Sequence, residues 1–421
     1  MTRRHFLERA GLGSLAALGT RLLPAPMVAA IDNTEPMKIV RIDAVTFRKD
    51  IRIGGGSGGS DGAEFWWVRV HTDKGIVGTG ETYPFSNSEI GALKDYAPSL
   101  IGRDPRDIDG TWRNLYFQAT MRNAGGAEIR TLSAINMAQL DILGQASGLP
   151  LYRLLGGKTR PRVRVYNTTT DYWAINDMKM GRDTMKIVQF LLDRGTTAMK
   201  IYPFSAQDNY ISNQALDRGL GWIREIRDKV GNQMDIAVDC WARFDFASAE
   251  RIAKAIEPYN IMYLEDVMLS SNVEAFAHLS RKTSVPICMS ETLAGRYQYR
   301  AFLEAKACDV VMYDVTWCGG VTEAKKIADL ADTYLIPTSP HTCGGPLNYC
   351  CATHLSTAVP NFLIMESNYW KYAHQFPSFI NNVPTPKEGY VTAPELPGIG
   401  AGIKLELFKN GDALVEAVAK L

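Results

Sequence analysis

Short apolar runs, each closed by a charged or polar residue, recur through the second half of the chain with helix-sized stretches between them. Met234-Asp-Ile-Ala-Val ends in Asp239, Ile261-Met-Tyr-Leu in Glu265 and Val285-Pro-Ile-Cys-Met-Ser in Glu291, so three acids stand at equal steps. Runs of this length predict consecutive parallel β-strands joined by helical crossovers. The series continues: Asp314 ends Asp309-Val-Val-Met-Tyr, His341 follows Tyr334-Leu-Ile-Pro-Thr-Ser-Pro, and Glu366 ends Asn361-Phe-Leu-Ile-Met. Upstream, Lys200 and Tyr202 lie in Thr197-Ala-Met-Lys-Ile-Tyr, where positions i and i+2 of a strand share a face and can reach one cavity.

A single acid after an apolar run is ordinarily a helix cap or a solvated loop residue. Several in register are different, because the C-terminal strand ends of a (β/α)₈ barrel form one mouth. Three carboxylates pointing into that mouth repel one another without a cation, and an all-oxygen donor set suggests Mg²⁺.

Length and charge fit an enzyme of this kind. The 421 residues, 46% hydrophobic and with net charge +1, can bury a barrel core and a smaller second core. The charges are dispersed, without the basic clusters that nucleic-acid binding requires. Arg3-Arg4-His5-Phe6-Leu7, the glycine-interrupted apolar run Ala10–Gly19 and the small residues Val28-Ala29-Ala30 resemble a twin-arginine export signal over residues 1–30. They predict a periplasmic bacterial protein, with no other stretch long enough to span a bilayer. Seven irregularly spaced cysteines form no zinc pattern, and reduced, buried thiols are the expectation. Cys343 lies near His341, where nothing in the sequence activates it as a nucleophile. The glycine-rich stretch Ile51–Ser60 reads as a loop and Glu64-Phe-Trp-Trp-Val-Arg-Val as a strand.

The order Lys-x-Tyr, Asp, Glu, Glu, Asp, His, Glu, with Asp314-Val-Thr-Trp-Cys-Gly-Gly-Val-Thr-Glu-Ala and Pro340-His341-Thr-Cys-Gly-Gly-Pro346, resembles the enolase superfamily. It is most similar to the mandelate racemase and muconate lactonizing subgroup, and within that to the galactonate-type sugar-acid dehydratases. The resemblance implies an α/β barrel of modified TIM, (β/α)₇β-like form with an N-terminal α+β capping domain. The cap is expected over 37–160, the barrel over 161–370 and a C-terminal segment returning to the cap over 371–421. Asp239, Glu265 and Glu291 would hold one Mg²⁺ per chain, which binds the carboxylate of a small sugar acid; a homo-oligomer is expected.

Resemblance also makes His341 and Asp314 the base dyad. A carboxylate on Nδ1 would leave Nε2 facing the cavity and stabilise the imidazolium after proton transfer. Two positions depart from the family's common pattern. Tyr202 stands where a lysine base is usual, and acts as an acid, as a base tuned by Lys200 or the metal, or as a hydrogen-bonding partner of substrate. Asp239-Cys240-Trp241 lacks the histidine acid of several dehydratases, so either His341 returns the proton in a syn elimination or Tyr202 supplies it, while Trp241 walls the pocket. Glu366 would hydrogen-bond the carboxylate or ene-diolate if protonated. Arg52 or Arg122 is a candidate for a second anionic group of the substrate, and cap loops at 50–60 and around Glu81 are expected to close over it.

These parts predict abstraction of the α-proton and loss of the β-hydroxyl to give a 2-keto-3-deoxy acid. Racemisation, epimerisation or cycloisomerisation would share the first step. An exported sugar-acid binding protein is the reading from another class; it leaves the dyad without a purpose.

Overall fold

The computed structural model describes residues 35–48, 51, 63–83, 88–118, 125–172 and 174–421. The expected signal and the candidates Arg52 and Arg122 lie outside them.

Three N-terminal strands, β1 (Ile39–Phe47), β2 (Trp66–Thr72) and β3 (Val77–Thr82), form an antiparallel meander beneath helices α1 (Ser88–Leu100), α2 (Ile108–Gln118) and α3 (Ala127–Ser147). Backbone Gly80 in β3 lies against the Ala134 carbonyl, a contact any β-carbon would block, so α3 presses directly on the sheet. The short helix α4 (Leu151–Leu154) leads out of this layer.

Seven parallel strands follow: β4 (Val163–Thr169), β5 (Ala198–Ile201), β6 (Asp235–Asp239), β7 (Tyr263–Glu265), β8 (Ile287–Met289), β9 (Val310–Val311) and β10 (Met365–Ser367). Their order is β10-β4-β5-β6-β7-β8-β9. The ring is completed by residues 337–341, an extended segment broken by two prolines. Val311 N–H donates to the Pro337 carbonyl on one side, and Leu363 N–H to the Thr338 carbonyl on the other. Counting that segment as the seventh strand position, the architecture is the expected (β/α)₇β barrel.

Helices α5 (Thr184–Leu192), α6 (Asn213–Val230), α7 (Phe246–Ile256), α8 (Val273–Ser280), α9 (Gly295–Glu304), α10 (Val321–Thr333) and α11 (Pro346–Ala358) connect these positions. In α7, Ala249, Ile252, Ala253 and Ile256 make one buried stripe, and Asp245 caps its start by accepting from Ser248 N–H. Strand β6 is apolar on both faces, with Ile236, Ala237 and Val238 all buried, as a barrel strand between core and helices must be.

A two-residue strand, β11 (Tyr390–Val391), adds to β4, and the tail returns to the cap, where β12 (Ala413–Lys420) pairs antiparallel with β1. The Trp-Cys-Gly-Gly motif also meets the cap. Gly320 at φ 97° brings the start of α10 against Asn136, and Trp112 Nε1–H donates to the Gly319 carbonyl at 2.8 Å. All seven cysteines are free and buried.

Candidate active site

The strand ends deliver their side chains to one buried polar cluster. Asp239 and Glu265 end adjacent strands β6 and β7 and are register partners. Lys200, fully buried on β5, places Nζ 2.6 Å from Glu265 Oε1, 3.0 Å from Asp239 Oδ2 and 3.3 Å from Glu366 Oε1. Burial works against its charge, yet Glu265 and then Glu366 hold its pKa well above the ordinary lysine value.

The dyad is formed. His341 Nδ1 lies 2.6 Å from Asp314 Oδ2; a carboxylate accepts, so Nδ1 carries the proton and Nε2 faces inward, 3.0 Å from Glu291 Oε2. Burial opposes a charged imidazole, but Glu291 and Glu366 outweigh it and raise His341 well above its usual pKa. Asp314 is itself immobilised, its Oδ1 accepting from the N–H (2.7 Å) and hydroxyl (2.5 Å) of Thr316, and its Oδ2 from Asn348 Nδ2 at 3.0 Å.

Glu366, a donor only if protonated, is held ionised by its neighbours: although burial pushes the other way, Lys200 and then His341 keep its pKa at about 2, and it accepts from the Thr168 hydroxyl and from Thr342 N–H (2.7 Å). For Tyr202 the downward pull of Lys200 is outweighed. Burial first, and then the Asp239 carboxylate, push its phenol well above the ordinary value.

Six buried carboxylates, those of Asp239, Glu265, Asp266, Glu291, Asp314 and Glu366, face two buried cationic groups, Lys200 and His341. Asp266 closes no apolar run of its own, so no periodic pattern marks it. It directly follows Glu265, holds φ 39°, and leaves Oδ1 without a hydrogen bond, as Glu265 does Oε2. Burial first, and then the neighbouring Asp239 carboxylate, push Glu265 upward in pKa. This donor chemistry fits Mg²⁺. The oxygens of Asp239, Glu265 and Glu291 nevertheless do not close on one point: the trio of His, Cys, Asp or Glu ligand atoms within 4.8 Å of one another, among the described residues, is His341, Cys343 and Glu366. Lys200 draws Asp239 and Glu265, and His341 draws Glu291.

Above the cluster opens a cavity of about 790 Å³ lined by Asp239, Glu291, His341, Tyr202 and Trp241, among others. Trp241, at φ 49° and half exposed, walls it as expected, with the Arg243 guanidinium 4.4 Å over its ring. Glu64, from the cap, accepts from Tyr83 (3.1 Å) and from Tyr172 of the barrel (2.7 Å), so cap and barrel share the cavity wall. No periodic pattern marks Glu64.

Two domain families match the chain: the mandelate racemase / muconate lactonizing enzyme N-terminal domain over residues 40–156, and the enolase C-terminal domain-like family over 184–407. The chain belongs to the mandelate racemase and muconate lactonizing enzyme family of the enolase superfamily. It is an enzyme of that superfamily, whose members bind Mg²⁺. D-xylonate dehydratase of Haloferax volcanii is 29% identical over 391 residues, covering 89% of this chain and 90% of the relative. D-gluconate dehydratase of Thermoproteus tenax is 31% identical over 338 residues, covering 80% and 67%. Among solved structures, an enolase of the mandelate racemase subgroup from Agrobacterium tumefaciens is similar with TM-score 0.79 at 33% identity, over 91% of this chain and all of the other. A member of the superfamily from Salmonella Typhimurium reaches 0.83 at 29% identity, over 90% and 100%.

Proposed function

We propose that this family member is a Mg²⁺-dependent hydro-lyase acting on a sugar acid of the aldonate or aldarate type, giving a 2-keto-3-deoxy acid. The observation that carries the reading is His341, with its Nδ1 held on Asp314 and the ring on the cavity wall. Relatives named as dehydratases of D-xylonate, D-galactonate and D-gluconate support the substrate class.

Asp239, Glu265 and Glu291 would hold one Mg²⁺ per chain, which supplies positive charge where the substrate's ene-diolate develops. His341 is cationic while it faces Glu291, so it first gives up its Nε2 proton, which engagement of Glu291 by the cation would favour; Nε2 then takes the α-proton, and Asp314 stabilises the imidazolium. Ionised Glu366 keeps Lys200 and His341 in place. Tyr202, a neutral phenol on the cavity wall, donates toward the departing β-hydroxyl or leaves that proton to come back from His341.

Elimination is favoured over racemisation by the same tyrosine, since inversion needs a competent base on each face and a phenol pushed upward is a poor one. Glu64, held by two tyrosines, offers acceptors to substrate hydroxyls beyond the reacting carbons. A leader of the kind read at Arg3 and Arg4 would carry the folded enzyme to the periplasm.

The test is a panel of aldonic and aldaric acids with Mg²⁺ in deuterated water. Keto-acid formation from at least one of them is expected. Deuterium entering C2 without keto-acid would reassign the protein as an epimerase or racemase, and binding with neither would make it a sugar-acid receptor.

A further inference from the structure

Cys343 has no part in the proposed reaction, yet it stands two residues after the base, buried and on the cavity wall. One ligand atom each from His341, Cys343 and Glu366 lies within 4.8 Å of the other two, and His341 Nε2 is 3.6 Å from Glu366 Oε2. Tetrahedral bonds of about 2.0–2.3 Å to zinc set nitrogen, oxygen and sulfur ligands roughly 3.3–3.7 Å apart, a spacing the His341–Glu366 pair already has.

We propose that His341 Nε2, Cys343 Sγ and the Glu366 carboxylate form a site for one thiophilic divalent ion of the Zn²⁺ type, which silences the enzyme by occupying the nitrogen that must take the proton.

The surroundings of each ligand are those a zinc site needs. Imidazole that ligates through Nε2 is ordinarily oriented by a carboxylate on Nδ1, and Asp314 is in that position at 2.6 Å. Glu366 is aimed by Thr168 and Thr342. The backbone of Cys343 is fixed by Lys371, whose Nζ donates to the carbonyls of Cys343 (2.5 Å) and Gly344 (3.0 Å). His341 and Cys343 line the cavity, and Glu291 Oε2, 3.0 Å from the same Nε2, is the neighbour an incoming ion would meet.

Mg²⁺ is a poor occupant, since it prefers six oxygen donors; thiolate and imidazole select zinc and its neighbours. Binding displaces the Cys343 proton to solvent, because a coordinating thiol ionises.

The binding half rests on geometry alone, whereas the silencing rests on the proposed reaction, and the two are read separately. The full chain, saturated with Mg²⁺, is titrated with Co²⁺ without substrate. A sulfur-to-cobalt charge-transfer band is expected, saturating at one cobalt per chain, bleached by Zn²⁺ and lost in Cys343→Ser. Absence of the band, or its survival in Cys343→Ser, overturns the site even if the protein is a dehydratase. With whichever of D-xylonate, D-galactonate or D-gluconate is turned over, Zn²⁺ inhibition relative to each protein's own activity should weaken at least about 10-fold in Cys343→Ser. Equal inhibition of both proteins would place zinc elsewhere and overturn the silencing.

Discussion

At the scale of single residues, the site is defined less by which groups are present than by which partners hold them. His341 is useful as a base because Asp314 fixes Nδ1, and Asp314 is fixed by Thr316 and Asn348. Replacing His341 by Asn should therefore lower α-proton exchange into deuterated water by about 10²–10⁴-fold while leaving Mg²⁺ binding by calorimetry nearly intact. Retained exchange would move the base role to Tyr202. The residue types of this site were legible: the register of Asp239, Glu265, Glu291, Asp314, His341 and Glu366 along the chain marks them. Their protonation was not, because it depends on which cation each carboxylate meets. Glu366, which could donate only if protonated, is held ionised by Lys200 and His341.

At the scale of elements, the start of α11 shows how the cap takes part in the site. Its N-cap Gly345 offers no side chain, so the exposed ends of the first turn are met from the cap: Glu81, at the end of β3, accepts from Leu347 N–H (3.1 Å), Asn348 N–H (2.9 Å) and Trp67 Nε1–H (3.1 Å). Asn348, positioned in this way, reaches Asp314. Burial raises the Glu81 pKa from 4.5 to about 7 despite those three donors. For a carboxyl whose folded pKa is raised, the stabilisation is present below the unfolded pKa and lost as pH rises through the folded one. Stability should thus fall by about 3 kcal/mol between pH 4.5 and 7 through this group. Denaturant midpoints at pH 5 and pH 8 should show a flatter dependence in Glu81→Gln; an unchanged slope would mean that Glu81 is ionised throughout. Nothing in the local sequence announces this contact, since Glu81 and Leu347 are 266 residues apart.

At the scale of the whole molecule, the barrel mouth gathers six buried carboxylates around Lys200 and His341, so a divalent ion should stabilise the fold as well as serve the chemistry. Mg²⁺ at 100 times its Kd adds about 2.7 kcal/mol if it binds only the native state. Thermal melts should show a clear upward shift in the protein and none in Glu265→Gln; an equal shift in both would remove Glu265 from the metal site. The sequence by itself determined the barrel and the residues at its strand ends, because a period of apolar runs and crossovers has few packed solutions and the strand ends of a parallel barrel must converge. Only the tertiary structure decided that Lys200 sits among three carboxylates, that Cys343 shares a point with His341 and Glu366, that Asp266 joins the acidic cluster, and that the cap supplies Glu64 and Glu81. Those are contacts across elements far apart in the chain, where distance and burial, rather than local pattern, set charge and partner.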